Sequence, residues 1–229
     1  KGFISNEYTV GQSLFLRGLG LIYLISFSSL VIQIKGLYGS KGILPFQDLL
    51  NQLKNQKKKH GFFRVPTWFW YFKSDKSLTL TCYLGIAFSC LLTLNILAPL
   101  CLVVLWCSYL SISSIGRVFM TFQWDSLLLE VGFFAFFFSL QTPPPQLLLV
   151  AIWFCYARFL FASGFVKLRS KDPTWKSLTA LNYHYYTQPI PNPLSWFFHN
   201  LPQWFQKFSC GWMLFVEIVV PFSLFLPSP

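Results

Sequence analysis

Long runs of apolar side chains alternate along this chain with polar, proline-bearing segments. A helix that crosses a bilayer needs about 20 mostly apolar residues. Six windows approach that length: 14–34, 78–96, 98–116, 126–140, 147–166 and 211–227. The apolar region from Leu78 to Gly116 is too long for one helix, and Asn95 and Pro99 divide it into two spans joined by a tight turn. The window at 126–140 is short, and "QTPPPQ" forms a rigid polar turn after it. The periodicity therefore predicts an all-α fold, a polytopic transmembrane helix bundle. The chain begins with Lys1 and stops directly after an apolar run, so residues 1–229 are expected to be one membrane domain cut from a longer chain.

One segment between spans has a pattern of its own. "LSWFFHNLPQWFQKF" places Leu194, Phe197, Phe198, Leu201, Phe205 and Phe208 on one helical stripe. It reads as an interfacial amphipathic helix lying on the membrane, with Pro202 bending it or starting its second half.

Composition strengthens the membrane reading. Of 229 residues, 54% are hydrophobic and 20% aromatic, while only 11% are charged, against about 25% in soluble domains. The formal net charge of +11 is no nucleic-acid signal here. Fifteen of the 18 Lys and Arg residues lie in 35–77, 117–125 and 167–210, which share one membrane face if six spans alternate. There they set topology and meet anionic headgroups. The positive-inside rule would put that face in the cytosol.

The six cysteines, Cys82, Cys90, Cys101, Cys107, Cys155 and Cys210, lie in or beside apolar runs without a CxxC, as buried small hydrophobes do. His60, His184 and His199 are too scattered for a metal pattern. No phosphate loop, nucleophile elbow or dinucleotide fingerprint occurs. No cofactor or metal is expected.

Charges inside spans ask for a reason. Arg17 stands near the start of the first and can snorkel. Glu130 lies roughly 7 Å below the basic face and Arg158 roughly 12 Å, on consecutive antiparallel spans. A buried Glu130–Arg158 charge pair is the simplest use of both; a proton-transfer or substrate role is the alternative.

"LNYHYYTQPIPNP" puts Tyr183, His184, Tyr185 and Tyr186 in a row, followed by Thr187, Gln188 and three prolines including Pro191, outside any span. No carboxylate stands among them to support acid–base chemistry at His184. Rings with few charges suit protein contacts. The residues Tyr183, His184, Tyr185, Tyr186, Gln188 and Pro191 are candidates for a docking surface, with an interfacial aromatic belt as the plainer reading.

Four strings carry a family resemblance: "GLYGSKGILP", "FQWDSLLLEVGF", "FASGFVKLRSKDPTWKSLTALNYHYYTQPIPNP" and "EIVVPFSLF". Spread in order over nearly the whole chain, they resemble the lipase maturation factor family. Similar strings in that family read "YHYETQ", so Tyr186 stands where Glu is expected, and the motif has lost its acidic group. The resemblance implies a multi-pass endoplasmic reticulum membrane protein that assists folding, maturation and secretion of lipases such as lipoprotein lipase. It implies client lipases or luminal chaperones as partners besides membrane lipids, and it places the long segments in the lumen, against the charge count. The expected function is a non-enzymatic maturation factor. The competing one is a membrane-embedded enzyme acting on a lipid or peptide through Glu130, Arg158 and His184. A transporter is disfavoured by the lack of internal symmetry and of paired discontinuous helices.

Overall fold

The computed structural model describes residues 2–55, 61–188 and 192–225. Its regular elements are helices: α1 (Gly2–Tyr38), α2 (Phe46–Asn55), α3 (Gly61–Arg64), α4 (Asp75–Thr93), α5 (Ala98–Ile115), α6 (Gln123–Phe138), α7 (Gln146–Arg169), α8 (Pro173–Lys176), α9 (Ala180–Thr187), α10 (Pro193–His199) and α11 (Gln203–Ile218). No strand occurs among the described residues. Five helical stretches there are long and apolar enough to cross a membrane: Thr9–Tyr38, Asp75–Thr93, Ala98–Ile115, Gln146–Arg169 and Gln203–Leu224. The chain is thus an all-helical, multi-pass membrane protein. α6 has 16 residues, a length of about 24 Å at 1.5 Å per residue, and is shorter than these five.

The chain divides into two compact units, Lys1–Leu149 and Val150–Pro229. In the first, α1 and α4 run antiparallel in close contact. Ser40, just past α1, meets Asp75 at the start of α4, while Asn95, past the end of α4, reaches Ser13 near the start of α1. Small residues let the two backbones approach. A Cβ on Gly85 would lie 2.4 Å from the Phe27 ring, and one on Gly20 would lie 2.7 Å from Thr93. The turn into α5 passes through Asn95 and Leu97 with φ of 60° and 48°, and Pro99 sits in the first turn of α5. That is the break Asn95 and Pro99 signalled.

The core of this unit gathers Tyr23, Phe27, Cys82, Leu102, Leu105 and Tyr109. The Tyr109 ring meets Tyr23 and Phe27 edge-on at 6.0 and 5.8 Å. Two buried serine hydroxyls are satisfied within their own helices: Ser89 donates to the Gly85 carbonyl at 2.7 Å and Ser108 to that of Val104 at 2.6 Å. Such back-bonding is how hydroxyls persist where no water competes. Gln12, almost fully buried, ties the start of α1 to the far end of α6. Its amide donates to the carbonyls of Phe138 and Gln141, and the Thr142 hydroxyl donates to it.

The long segment between α1 and α4 folds onto the helix ends. Phe46, Leu50 and Phe69 are fully buried, with the Phe46 and Phe69 rings 5.3 Å apart. Trp68 donates to Thr81 at 3.2 Å, and Ser114 donates to the Pro66 carbonyl at 3.1 Å. Of the string "FFRVPTWFWYF", Val65, Trp68, Phe69 and Trp70 supply the apolar surface of this packing, while Phe62, Phe63, Tyr71 and Phe72 stay exposed.

In the second unit α7 packs against α11. A Cβ on Gly164 would lie 2.6 Å from Ile218 and 3.0 Å from Glu217. Phe161 meets Phe222 edge-on at 5.5 Å. The amphipathic stripe is split here: its first half is α10, and Pro202 starts the second half, which runs on without interruption as α11. The helix that carries the apolar run from 211 therefore starts eight residues before it, at Gln203.

Candidate docking surface and charged pairs

The ring-rich motif forms α9, a helix of eight residues. It packs on α10 and α11, with Ala180 and Cys210 both buried. Its rings do not share one face. Tyr185 turns inward and stacks on Phe198 of α10, with centroids 6.0 Å apart and planes 20° apart. Its partial burial pushes the phenol pKa up. Tyr183 and Tyr186, one turn apart, point outward at 51% and 60% exposure, and Tyr186 meets His199 edge-on at 5.2 Å. His184 lies on another side, where its Nε2 stands 2.7 Å from the Gln188 amide nitrogen. The two form a hydrogen bond whose direction follows the tautomer of the His184 ring. Exposed Trp196 and Phe197 on α10 add to the surface. Pro191 lies outside the described residues.

The flanks of this surface are capped. Asn192 accepts from the Leu194 N–H at 2.9 Å and starts α10. Asp172 accepts from the Thr174 N–H at 2.9 Å and from its hydroxyl at 2.7 Å. These bonds favour the carboxylate and hold Asp172 below its usual pKa. Gln206 anchors α11 to α10 by donating to the Phe198 carbonyl. Its side-chain oxygen is buried without a partner among the described residues.

The two charges expected to pair fall in different units. Glu130 is half-buried on α6 in the first, and Arg158 is exposed on α7 in the second. Sequence reasoning missed another pair. Lys167, at the end of α7, forms an ion pair with Glu217 of α11, and the Lys167 ammonium also stands 5.7 Å from the Trp175 ring centroid. A lone glutamate in an apolar run was the available signal. Also unforeseen is the carboxylate of Asp125, which accepts from the Tyr109 hydroxyl at 2.6 Å. Among the described residues no group of three or more His, Cys, Asp or Glu is placed to hold a metal ion.

A family model described as the lipase maturation factor transmembrane domain matches residues 10–229. Lipase maturation factor 2 of Xenopus tropicalis is 41% identical over 249 residues, covering 96% of this chain and 34% of that protein. The human protein of the same name is 37% identical over 240 residues, covering 94% of this chain and 34% of its own length. Mouse lipase maturation factor 1 is 33% identical over 228 residues, covering 92% and 40%. The chain thus spans about a third of the length of the factor 2 relatives. No solved structure matches.

Proposed function

The chain belongs to the lipase maturation factor family, and we propose that it is the membrane portion of an endoplasmic reticulum factor that helps lipases, such as lipoprotein lipase, mature and be secreted. In this reading it works without catalysis, as a docking platform. The α9–α10 surface faces the lumen and engages a client lipase or a luminal chaperone.

One observation carries the reading. Tyr183 and Tyr186 are exposed on a short helix that the Tyr185–Phe198 stack holds in place. Large rings fixed in advance supply contact area with little ordering cost on binding. His184, by contrast, is partnered by a neutral amide, which gives it no carboxylate to orient it as a general base.

The test is secreted lipase activity from cells lacking this protein, with the full-length chain restored and activity normalised to its abundance. Tyr183→Ala combined with Tyr186→Ala should cut secretion severely, while His184→Phe, which keeps a flat ring, should be mild. Normal secretion by the double-tyrosine variant would overturn the docking reading. Loss of secretion by His184→Phe at normal abundance would replace it with an enzymatic one.

A further inference from the structure

The first unit carries a feature that neither the docking surface nor the charged pairs use. A cleft of about 510 Å³ opens where α4 begins, lined by the polar Lys35, Ser74 and Lys76 and by the apolar and aromatic Phe72, Leu80 and Tyr83. A second hollow of about 250 Å³ shares Phe72 and Leu80 and extends the apolar wall to Leu84. The two form a groove, cationic at one end and apolar along the rest.

Its polarity follows the membrane axis. Lys35 lies in the last turn of α1 and Lys76 in the first turn of α4, at the common end of two membrane-crossing helices. Leu80 and Leu84 lie one and two turns deeper in α4, the farther about 10 Å past Ser77 at 1.5 Å per residue. The one acidic residue of that first turn is diverted. Asp75 accepts from the Ser40 N–H at 2.9 Å and from its hydroxyl at 2.7 Å. Neither lysine has an acidic partner among the described residues. The Ser74 side chain accepts from the Ser77 N–H at 3.3 Å, which leaves its own O–H to donate outward.

We propose that this groove binds one anionic glycerophospholipid, its phosphate between Lys35 and Lys76 and one acyl chain along Leu80, Tyr83 and Leu84. Two ammonium groups call for an anion. Walls that are 69% exposed at Leu80 and 59% at Tyr83, on a membrane-crossing helix, call for a hydrocarbon chain rather than water. Only a lipid joins the two; a free phosphate gains nothing from the apolar wall. Basic pockets beside membrane helices hold headgroups by this logic. The inference stands apart from the lipase reading, since it requires only that the chain cross a membrane.

The experiment is native mass spectrometry of the full-length protein, titrated in mild detergent with phosphatidylserine or with phosphatidylcholine. One phosphatidylserine should bind in preference to phosphatidylcholine. Lys35→Gln with Lys76→Gln should weaken it about 25-fold, the product of a roughly fivefold loss for each cation removed beside a membrane. Lys54→Gln with Arg64→Gln removes equal charge from the same unit away from the groove and should leave binding unchanged. Leu80→Ser should weaken the lipid and not inorganic phosphate. Equal loss in both charge variants would reduce the effect to general surface attraction and overturn the site, as would equal retention of phosphatidylcholine. Binding of inorganic phosphate as tightly as the lipid would overturn the lipid as occupant. All five substituted positions are exposed, and matched melting temperatures keep folding out of the comparison.

Discussion

The Tyr109 hydroxyl donates to Asp125 Oδ1 at 2.6 Å, joining the last turns of α5 to the first turn of α6. The same tyrosine ring packs edge-on against Tyr23 and Phe27 of α1. One side chain therefore couples three helices of the first unit, by its ring to the core and by its hydroxyl to a carboxylate. Tyr109→Phe keeps the packing and removes the donor. It should destabilise the protein by about 1–3 kcal/mol, the cost of leaving a partly buried acceptor unpaired. Asp125→Asn should cost less, because the amide oxygen still accepts. Detergent-phase thermal melting checks the order; an unchanged melt for Tyr109→Phe would show that water replaces the bond.

Gly85 lets Phe27 lie directly on the α4 backbone. Gly85→Ala pushes a methyl group into a rigid ring at 2.4 Å and should cost about 1–3 kcal/mol, as overpacking does. Phe27→Leu, mild by comparison, should relieve part of that cost in the double variant. Additive losses would show that the α1–α4 contact had not been the site of the strain.

Lys167 and Glu217 join α7 to α11 and are only 25% and 14% exposed. Removing one partner of a buried pair costs about 3–5 kcal/mol in soluble proteins. Glu217→Gln should therefore lower stability or abundance markedly. Lys167→Met with Glu217→Gln should recover part of the loss, because no charge is left stranded. If the double variant is no better than the singles, the pair contributes through packing instead.

The sequence sets Glu130 roughly 7 Å and Arg158 roughly 12 Å below the basic face, on consecutive helices joined by the "QTPPPQ" turn. If they pair, Glu130→Gln lowers abundance and adding Arg158→Gln restores part of it. Normal abundance of Glu130→Gln with failed lipase secretion would instead assign the carboxylate a functional role.

Sidedness can be read directly. With residues 35–77 and 167–210 in the lumen, a glycosylation acceptor engineered beside Lys54 should be modified. A cysteine placed beside Lys171 should stay protected from impermeant thiol reagents when only the plasma membrane is opened. Labelling of that cysteine with no glycan beside Lys54 would show that the basic residues had set the topology.

Much of the architecture needed no tertiary information. Helices must satisfy their own backbone in lipid, so the apolar runs, their lengths, and the breaks at Asn95, Pro99 and Pro202 follow from local chemistry. The motif strings located the family for the same reason, being linear. What folding alone settled is which side chains meet. Nothing near Tyr185 in sequence points to Phe198, because 12 residues and a proline-rich stretch separate two rings that stack only when α9 and α10 fold back on each other. Lys167 and Glu217 are 50 residues apart, and each looks unremarkable until a glycine at 164 lets the two helices close. Only the antiparallel packing of α1 on α4 brings Asp75 to Ser40, 35 residues earlier in the chain. Periodicity decides where a chain is helical and how much of it is apolar. Long-range contacts, made possible by small residues and closed by single hydrogen bonds, decide which charges are neutralised and which stay available for a ligand.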